Sequence, residues 1–376
     1  MKTAESTFVP VNEPLLCGNE KKYLLECIES GWISSEGPFV KRFEREFAAR
    51  VGRRFGVAVS SGTAALQVAV SALGIGPGDE VIMPTFTIIS CAAAIVRTCA
   101  TPVLIDSDPV TWNMDVSQIE DKITPKTKAI MVVHIYGLPV DMDQVIAIAK
   151  KYDLKIIEDA AQAHGLTYKG KPCGSFGNIS IFSFYPNKLV TTGEGGMVVT
   201  DNEQVACKSK GLRNLCFKEN KRFIHDELGY NFRMTNLQAA LGVAQLEQLD
   251  RFIEKKRQVG KKYTELLSGI EQLQLPKDRI TYADNIYWVY GVLLADDFGY
   301  DADYVRKYMA DKQVGTRPFF WPIHEQPVFK KTGMFEKENY PVAEKLARRG
   351  FYVPSGLALT ELQIEYVVES LKEILK

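Results

Sequence analysis

The chain reads as a two-domain α/β protein: a largely parallel sheet covered by helices on both faces, then a smaller C-terminal α/β domain. Three observations predict this. At 376 residues the chain is too long for one compact core. From about residue 55 to 200, short apolar runs alternate with helix-like stretches, the pattern of βαβ units. Near residues 251–262 the composition turns charged, which divides the chain into residues 1–250 and 251–376.

The elements follow in order. Apolar runs at 55–59, 80–83, 102–105, 128–134 and 154–158 read as strands, and the stretches at 63–73, 89–99 and 142–151 as helices. The runs at 179–184 and 196–200 have no helix between them, so they add strands whose direction is open. Thr235 is a good N-cap. After it, Leu237, Leu241, Ala244, Leu246 and Leu249 recur at helical spacing, and one long helix through residue 262 is expected. Beyond that lie a strand at 286–294 and amphipathic helices at 304–312 and 360–376.

Composition excludes several function classes. Lys plus Arg and Asp plus Glu both number 46, so no basic excess points to nucleic acid. The seven cysteines are odd in number and form no C-x-x-C pair, which favours reduced core thiols over disulfides or structural zinc. His134, His164 and His225 have no ligand-like spacing, and no metal is expected. Residues 1–10 hold no signal-like apolar run, and no stretch approaches the ~20 apolar residues of a membrane span. A cytoplasmic location is expected by default.

Three motifs carry chemistry. Ser60-Ser61-Gly62-Thr63 ends a strand and opens a helix, where free N–H groups favour an anion; the same residues also suit an ordinary N-cap. Glu158-Asp159 closes an apolar strand, where α/β proteins place ligands. Lys188 leaves a strand toward the glycine-rich turn Gly193-Glu194-Gly195-Gly196. An amine, a carboxylate and a phosphate cup together are the set that pyridoxal phosphate (PLP) requires. By contrast, Gly74-Ile75-Gly76-Pro77-Gly78 follows a helix and precedes a strand, so it is a turn and no dinucleotide fingerprint.

These motifs, with Gly229-Tyr230-Asn231-Phe232-Arg233-Met234 and the loop Gly31-Trp32-Ile33-Ser34-Ser35-Glu36-Gly37, resemble the sugar aminotransferases of the DegT/DnrJ/EryC1 family from about residue 9 to the C-terminus. The resemblance implies the type I aminotransferase fold, with a mainly parallel seven-stranded sheet. It implies that Lys188 holds PLP as an imine and works as acid and base, and that Asp159 pairs with the pyridine nitrogen. Gln162 would approach the ring hydroxyl, and Gly62, Thr63 and Ser183 the phosphate. Ile88 stands where the family often has a ring-stacking aromatic residue. Asn231 would reach a phosphate in the partner subunit of a homodimer.

Asn187-Lys188 and residues 316–324 further resemble a branch that aminates carbon 4 of a GDP-linked 4-keto-6-deoxy sugar with L-glutamate. The same chemistry on a dTDP- or UDP-linked keto-sugar, at carbon 4 or 3, stays open. Asn187 is a candidate substrate contact. Arg317 suits a donor carboxylate or nucleotide phosphate, and His324 a sugar hydroxyl. Lys188 argues against the family's dehydratase branch, which has histidine there. A silent, DNA-binding regulator would need a basic face, and a nicotinamide enzyme a glycine fingerprint.

Overall fold

The computed structural model describes residues 8–218 and 220–376; residues 1–7, the start of the stretch read above for a signal segment, lie outside them. Seven strands form the main sheet: β1 (Phe55–Val59), β2 (Glu80–Pro84), β3 (Thr101–Ile105), β4 (Thr127–Val133), β5 (Lys155–Asp159), β6 (Ile179–Ser183) and β7 (Gly196–Thr200). Their order is β1-β7-β6-β5-β4-β2-β3. Strands β6, β5, β4, β2 and β3 pair in parallel, while β7 is antiparallel to both its neighbours. The direction left open thus resolves for a simple reason. No crossover helix joins β6 to β7, and a short return must be antiparallel.

Ile130, Met131, Val132 and Ile157 are fully buried, since helices cover both faces. The helices α1 (Glu20–Ser30) and α2 (Pro38–Arg50), which apolar runs alone had not located, pack with α7 (Asn236–Leu246); α3 (Gly62–Ala72) lies across β6 and β7. Between α3 and α7 in the chain come α4 (Ile89–Val96), α5 (Met142–Lys151) and α6 (Glu203–Arg213). Thr235 does cap α7, in a reciprocal box with Gln238.

The expected long helix is broken at Glu247-Gln248, where α7 ends and α8 (Leu249–Leu267) begins. Polar anchoring explains the break. Gln245 donates to the Leu15 carbonyl and to Glu20, while Glu247 accepts from Asn19, Tyr23 and Arg42. These bonds tie the turn to the N-terminal helices in a way helical periodicity does not register.

Helix α8 serves two cores. Its Leu249 and Ile253 sit in the first, its Val259, Tyr263 and Leu267 in the second. The second core backs an antiparallel sheet of β8 (Leu273–Gln274), β9 (Tyr290–Leu294), β10 (Arg317–Pro318) and β11 (Gly350–Val353), in the order β8-β9-β11-β10. Val9, far away in sequence, pairs with Val314 and is buried in this second core.

The strand expected at 286–294 begins only at Tyr290. Tyr287 has φ +49°, the Asn285 side chain accepts from the Tyr287 N–H, and the Ile286 N–H donates to the Gly137 carbonyl. That kink presses residues 285–288 onto the turn at Gly137. All seven cysteines are free thiols, but only Cys27, Cys91 and Cys173 are core residues; Cys17, Cys99 and Cys207 are exposed. Among the described residues no helix is long and apolar enough to cross a membrane.

Candidate active site

The carboxyl ends of β1, β5 and β6 open onto a cavity of about 390 Å³, the position at which open α/β sheets bind ligands. Gly62, Thr63, Ile88, Asp159, Gln162, Ser183, Asn187 and Lys188 all line it. Stretches more than a hundred residues apart in sequence are thereby gathered into one chamber.

The cup at one end is built by two helix N-termini. Ser61 caps α3, its hydroxyl accepting from the Ala64 N–H at 3.1 Å. Helix α4 has Ile88 at its N-cap, whose side chain offers no cap, so the N–H groups of Ile89 and Ser90 stay available to an anion. The Thr63 and Ser90 hydroxyls meet at 2.9 Å between the two helices. Gly62 is required by space: a Cβ there would lie 2.7 Å from the Ser183 Cβ. Ser90 is a cup residue that no sequence motif had flagged.

At the floor, Lys188 Nζ lies 3.7 Å from the centroid of the Trp288 ring and makes no hydrogen bond among the described residues. Burial pulls its pKa down to about 7, against the opposing charge of Asp159. A substantial part of the amine is therefore neutral and nucleophilic near neutral pH. Asp159 is buried, and burial pushes its carboxyl up. One oxygen accepts from the Ala161 N–H (2.9 Å), the other from the Cys91 thiol (3.3 Å). Gln162 accepts from the Tyr136 N–H at 2.8 Å, leaving its NH₂ group as a donor for a ligand. The Asn187 side-chain oxygen is buried without a partner. A free amine, an aimed carboxylate, a cup of N–H and hydroxyl donors and an orphaned acceptor fit PLP with a substrate beside it.

Glu158, next to Asp159, serves the fold instead. Its carboxylate accepts from His134 Nε2, the Gly174, Phe176 and Gly177 N–H groups and the Ser180 hydroxyl. Burial alone would raise its pKa, but His134 and the N–H donors outweigh this and hold it at about 2. Between the unfolded value near 4.5 and about 2, the unfolded chain takes up a proton that the folded chain refuses. The stability Glu158 contributes is thus full at neutral pH and drains away as pH falls through that window. Glu158→Gln is expected to lose about 3–5 kcal/mol at pH 7, measured by urea unfolding, and less of the difference should remain at pH 3.

Three expected site residues are not brought into the cavity. His324 is buried, with Nδ1 on the Thr85 hydroxyl (2.9 Å) and Nε2 on Glu344 (3.1 Å). With both nitrogens committed it has none left for a sugar, and it ties residues 323–344 to the end of β2. Arg317 is exposed on β10, beside the cavity-lining Tyr352 in the register. Asn231 is exposed in a bridge with Asn214, outside the cavity. Two groups of potential metal ligands do form, His134–Glu158–Cys173 and His324–Glu325–Glu344. In the first, the Glu158 carboxylate is already saturated, and in the second Glu325 is paired with Arg348.

The far wall of the cavity comes from the C-terminal third of the chain: Trp288, Phe320 and Tyr352. Tyr136 stacks on Phe320 (5.3 Å) and on Trp288 (6.0 Å), and its hydroxyl accepts from the Phe320 N–H. The aromatic residues of the 316–324 segment gave a partial signal of this wall. Trp288 had none.

Residues 15–372 match the DegT/DnrJ/EryC1/StrS aminotransferase family. The GDP-perosamine synthase of Escherichia coli O157:H7 is 43% identical over 97% of this chain and 98% of its own. That of Caulobacter vibrioides is 40% identical over 98% of each. A Streptococcus pneumoniae protein solved in its PLP-form superposes with a TM-score of 0.91 at 25% identity, covering 98% of each chain. The protein is a PLP-dependent member of the DegT/DnrJ/EryC1/StrS aminotransferase family.

Proposed function

We propose that this enzyme makes GDP-perosamine, moving the amino group of L-glutamate onto carbon 4 of GDP-4-keto-6-deoxymannose. The observation that carries the substrate is the 40–43% identity to GDP-perosamine synthases over almost the whole length. PLP, when bound, supplies an aldehyde for an amine and a ring that accepts electrons.

The chain's own residues divide the remaining work. Lys188 would hold the cofactor and, as a free amine, would carry a proton away from the donor's α-carbon and later return one to the sugar. Asp159 keeps the ring nitrogen protonated. Gly62, Thr63, Ser183 and Ser90 hold the phosphate, Gln162 the ring hydroxyl, and Ile88 packs on a ring face. Asn187 offers its orphaned oxygen to a sugar hydroxyl, and Arg317 meets a carboxylate or phosphate at the rim. The two domains are residues 1–250 and 251–376, with the segment around Val9 docked on the second.

A cytoplasmic homodimer completes the reading, with Asn231 reaching the partner's phosphate. Exposed apolar side chains at Ile28, Trp32 and Ile33, and at Phe223, Ile224 and Leu228 before Asn231, support a covered face. The free thiols support a reducing compartment.

The test is incubation with PLP, L-glutamate and a panel of GDP-, dTDP- and UDP-linked keto-sugars, with products weighed by mass spectrometry. Amination of the GDP sugar alone is expected. Amination of a dTDP- or UDP-linked member instead would keep the chemistry and overturn the substrate.

A further inference from the structure

We propose that Trp288 is a positioning residue for Lys188, its indole face holding the lysine amine whenever that amine is free of the cofactor. This rests on Lys188 as the cofactor-bearing lysine. The distance of 3.7 Å to the ring centroid separates this pair from the other cation–ring pairs of the described residues, which lie at 4.9–5.9 Å.

The indole is itself fixed on three sides. Its Nε1–H donates to the Asn187 carbonyl at 2.9 Å, its ring stacks on Tyr136, and the kink at residues 285–288 is tied to Gly137. It is buried. An aromatic residue of the second domain is therefore clamped onto the backbone that carries the lysine and onto the lysine itself.

The chemistry suits a lysine that must alternate between two protonation states. A carboxylate in contact would hold it as an ammonium ion and occupy its N–H groups. A ring face attracts the ammonium through its quadrupole, leaves the amine free of hydrogen bonds, and adds little to the hydration it lacks. Trp288 thus partly offsets the burial that lowers the lysine pKa and keeps the freed amine beside the reacting carbon. The other titratable groups around the amine are few. Asp159 is the facing carboxylate and Glu194, Tyr185 and Tyr352 line the outer cavity, with Arg317 beyond Tyr352. Cys91, bonded to Asp159, is pushed well up by burial. His164 is held neutral by burial, its pKa near 3, and accepts from the Val190 N–H.

The experiment uses the full-length protein stripped of cofactor, as Trp288→Leu and Trp288→Phe. Capture of added PLP by Lys188 is followed by absorbance from pH 5.5 to 8.5, and single-turnover reaction with L-glutamate or its α-deuterated form is followed separately. Leucine keeps the apolar burial and loses the ring, so the capture midpoint should fall by about half to one pH unit. Capture at pH 6 then becomes faster while proton transfer from glutamate slows at least tenfold with a larger isotope effect. Phenylalanine should recover most of both. The keto-sugar KM should change less than about threefold.

An unchanged capture midpoint with a raised sugar KM would make Trp288 a sugar contact and overturn the proposal. Parallel loss of capture and turnover at every pH, in both variants, would make it a structural prop and overturn it equally. Capture by a Lys188→Ala protein with the wild-type spectrum would bring down the Lys188 assignment itself, an outcome distinct from either.

Discussion

Lys188→Ala is expected to lower amino transfer by about 10³-fold or more, with the fold retained. General acid–base transfer at a positioned group is worth about 10²–10⁴, and the same amine also makes the covalent attachment. Two of the titratable groups nearest it are poor substitutes: Asp159 is engaged by two donors, and His164 is neutral with its ring packed among Phe47, Phe182 and Phe184. Lys188→Arg should be equally inactive, since a guanidinium keeps its proton and cannot act as a nucleophile. The apoprotein should unfold at the same temperature or higher, because the native amine is desolvated without an ion-pair contact. Circular dichroism melts and single-turnover assays separate the two effects. Substantial turnover by the alanine variant, without added amine, would overturn the assignment.

Asp159→Asn should reduce the rate by about 10²–10³-fold, comparable to the ~3–5 kcal/mol lost when one partner of a buried charge pair is removed. An amide can still accept from the Ala161 N–H, so the local shape survives while the charge opposite the ring nitrogen does not. Stability should move the other way. Burial raises the native Asp159 pKa, so the folded apoprotein binds that proton more tightly than the unfolded chain. The penalty is absent in acid and grows as pH rises through the native pKa. The Asn apoprotein should therefore match or exceed the wild type at pH 8, with the difference closing toward pH 4. Near-normal rates in the variant would remove Asp159 from the role.

Where local chemistry decides the outcome, the sequence was legible. The buried parallel strands showed as apolar runs because both faces are covered, and the β1–α3 turn showed because Ser61 and Gly62 are demanded by capping and close approach. Lys188 and Asp159 stood out by the company they keep within a stretch of motifs, and both line the same cavity. What escaped depends on partners distant in sequence. The break between α7 and α8 is made by residues 15–42, Glu158 is a clasp because of the loop that folds under it, and His324 is satisfied by Thr85 and Glu344. Trp288 sits in a run that looks like plain strand, and only the kink at Tyr287 turns it toward the lysine.

The N-terminal segment has a bearing on when this enzyme can first work. Val9 pairs with Val314, Val11 accepts from the Ser355 N–H, and Asn12 donates to the Pro186 carbonyl two residues before Lys188. The first of these stretches to leave the ribosome must wait for nearly the last before it can dock. At about 5–20 residues per second that interval is tens of seconds. The main sheet can assemble meanwhile, but the loop bearing Lys188 lacks two of its moorings: Trp288 until that residue is made, and Asn12 until Val314 and Ser355 are made to dock its segment. A nascent chain is thus kept from a fully moored Lys188 loop, and residues 9–12 take their place only after partners about 300 residues further along have been made.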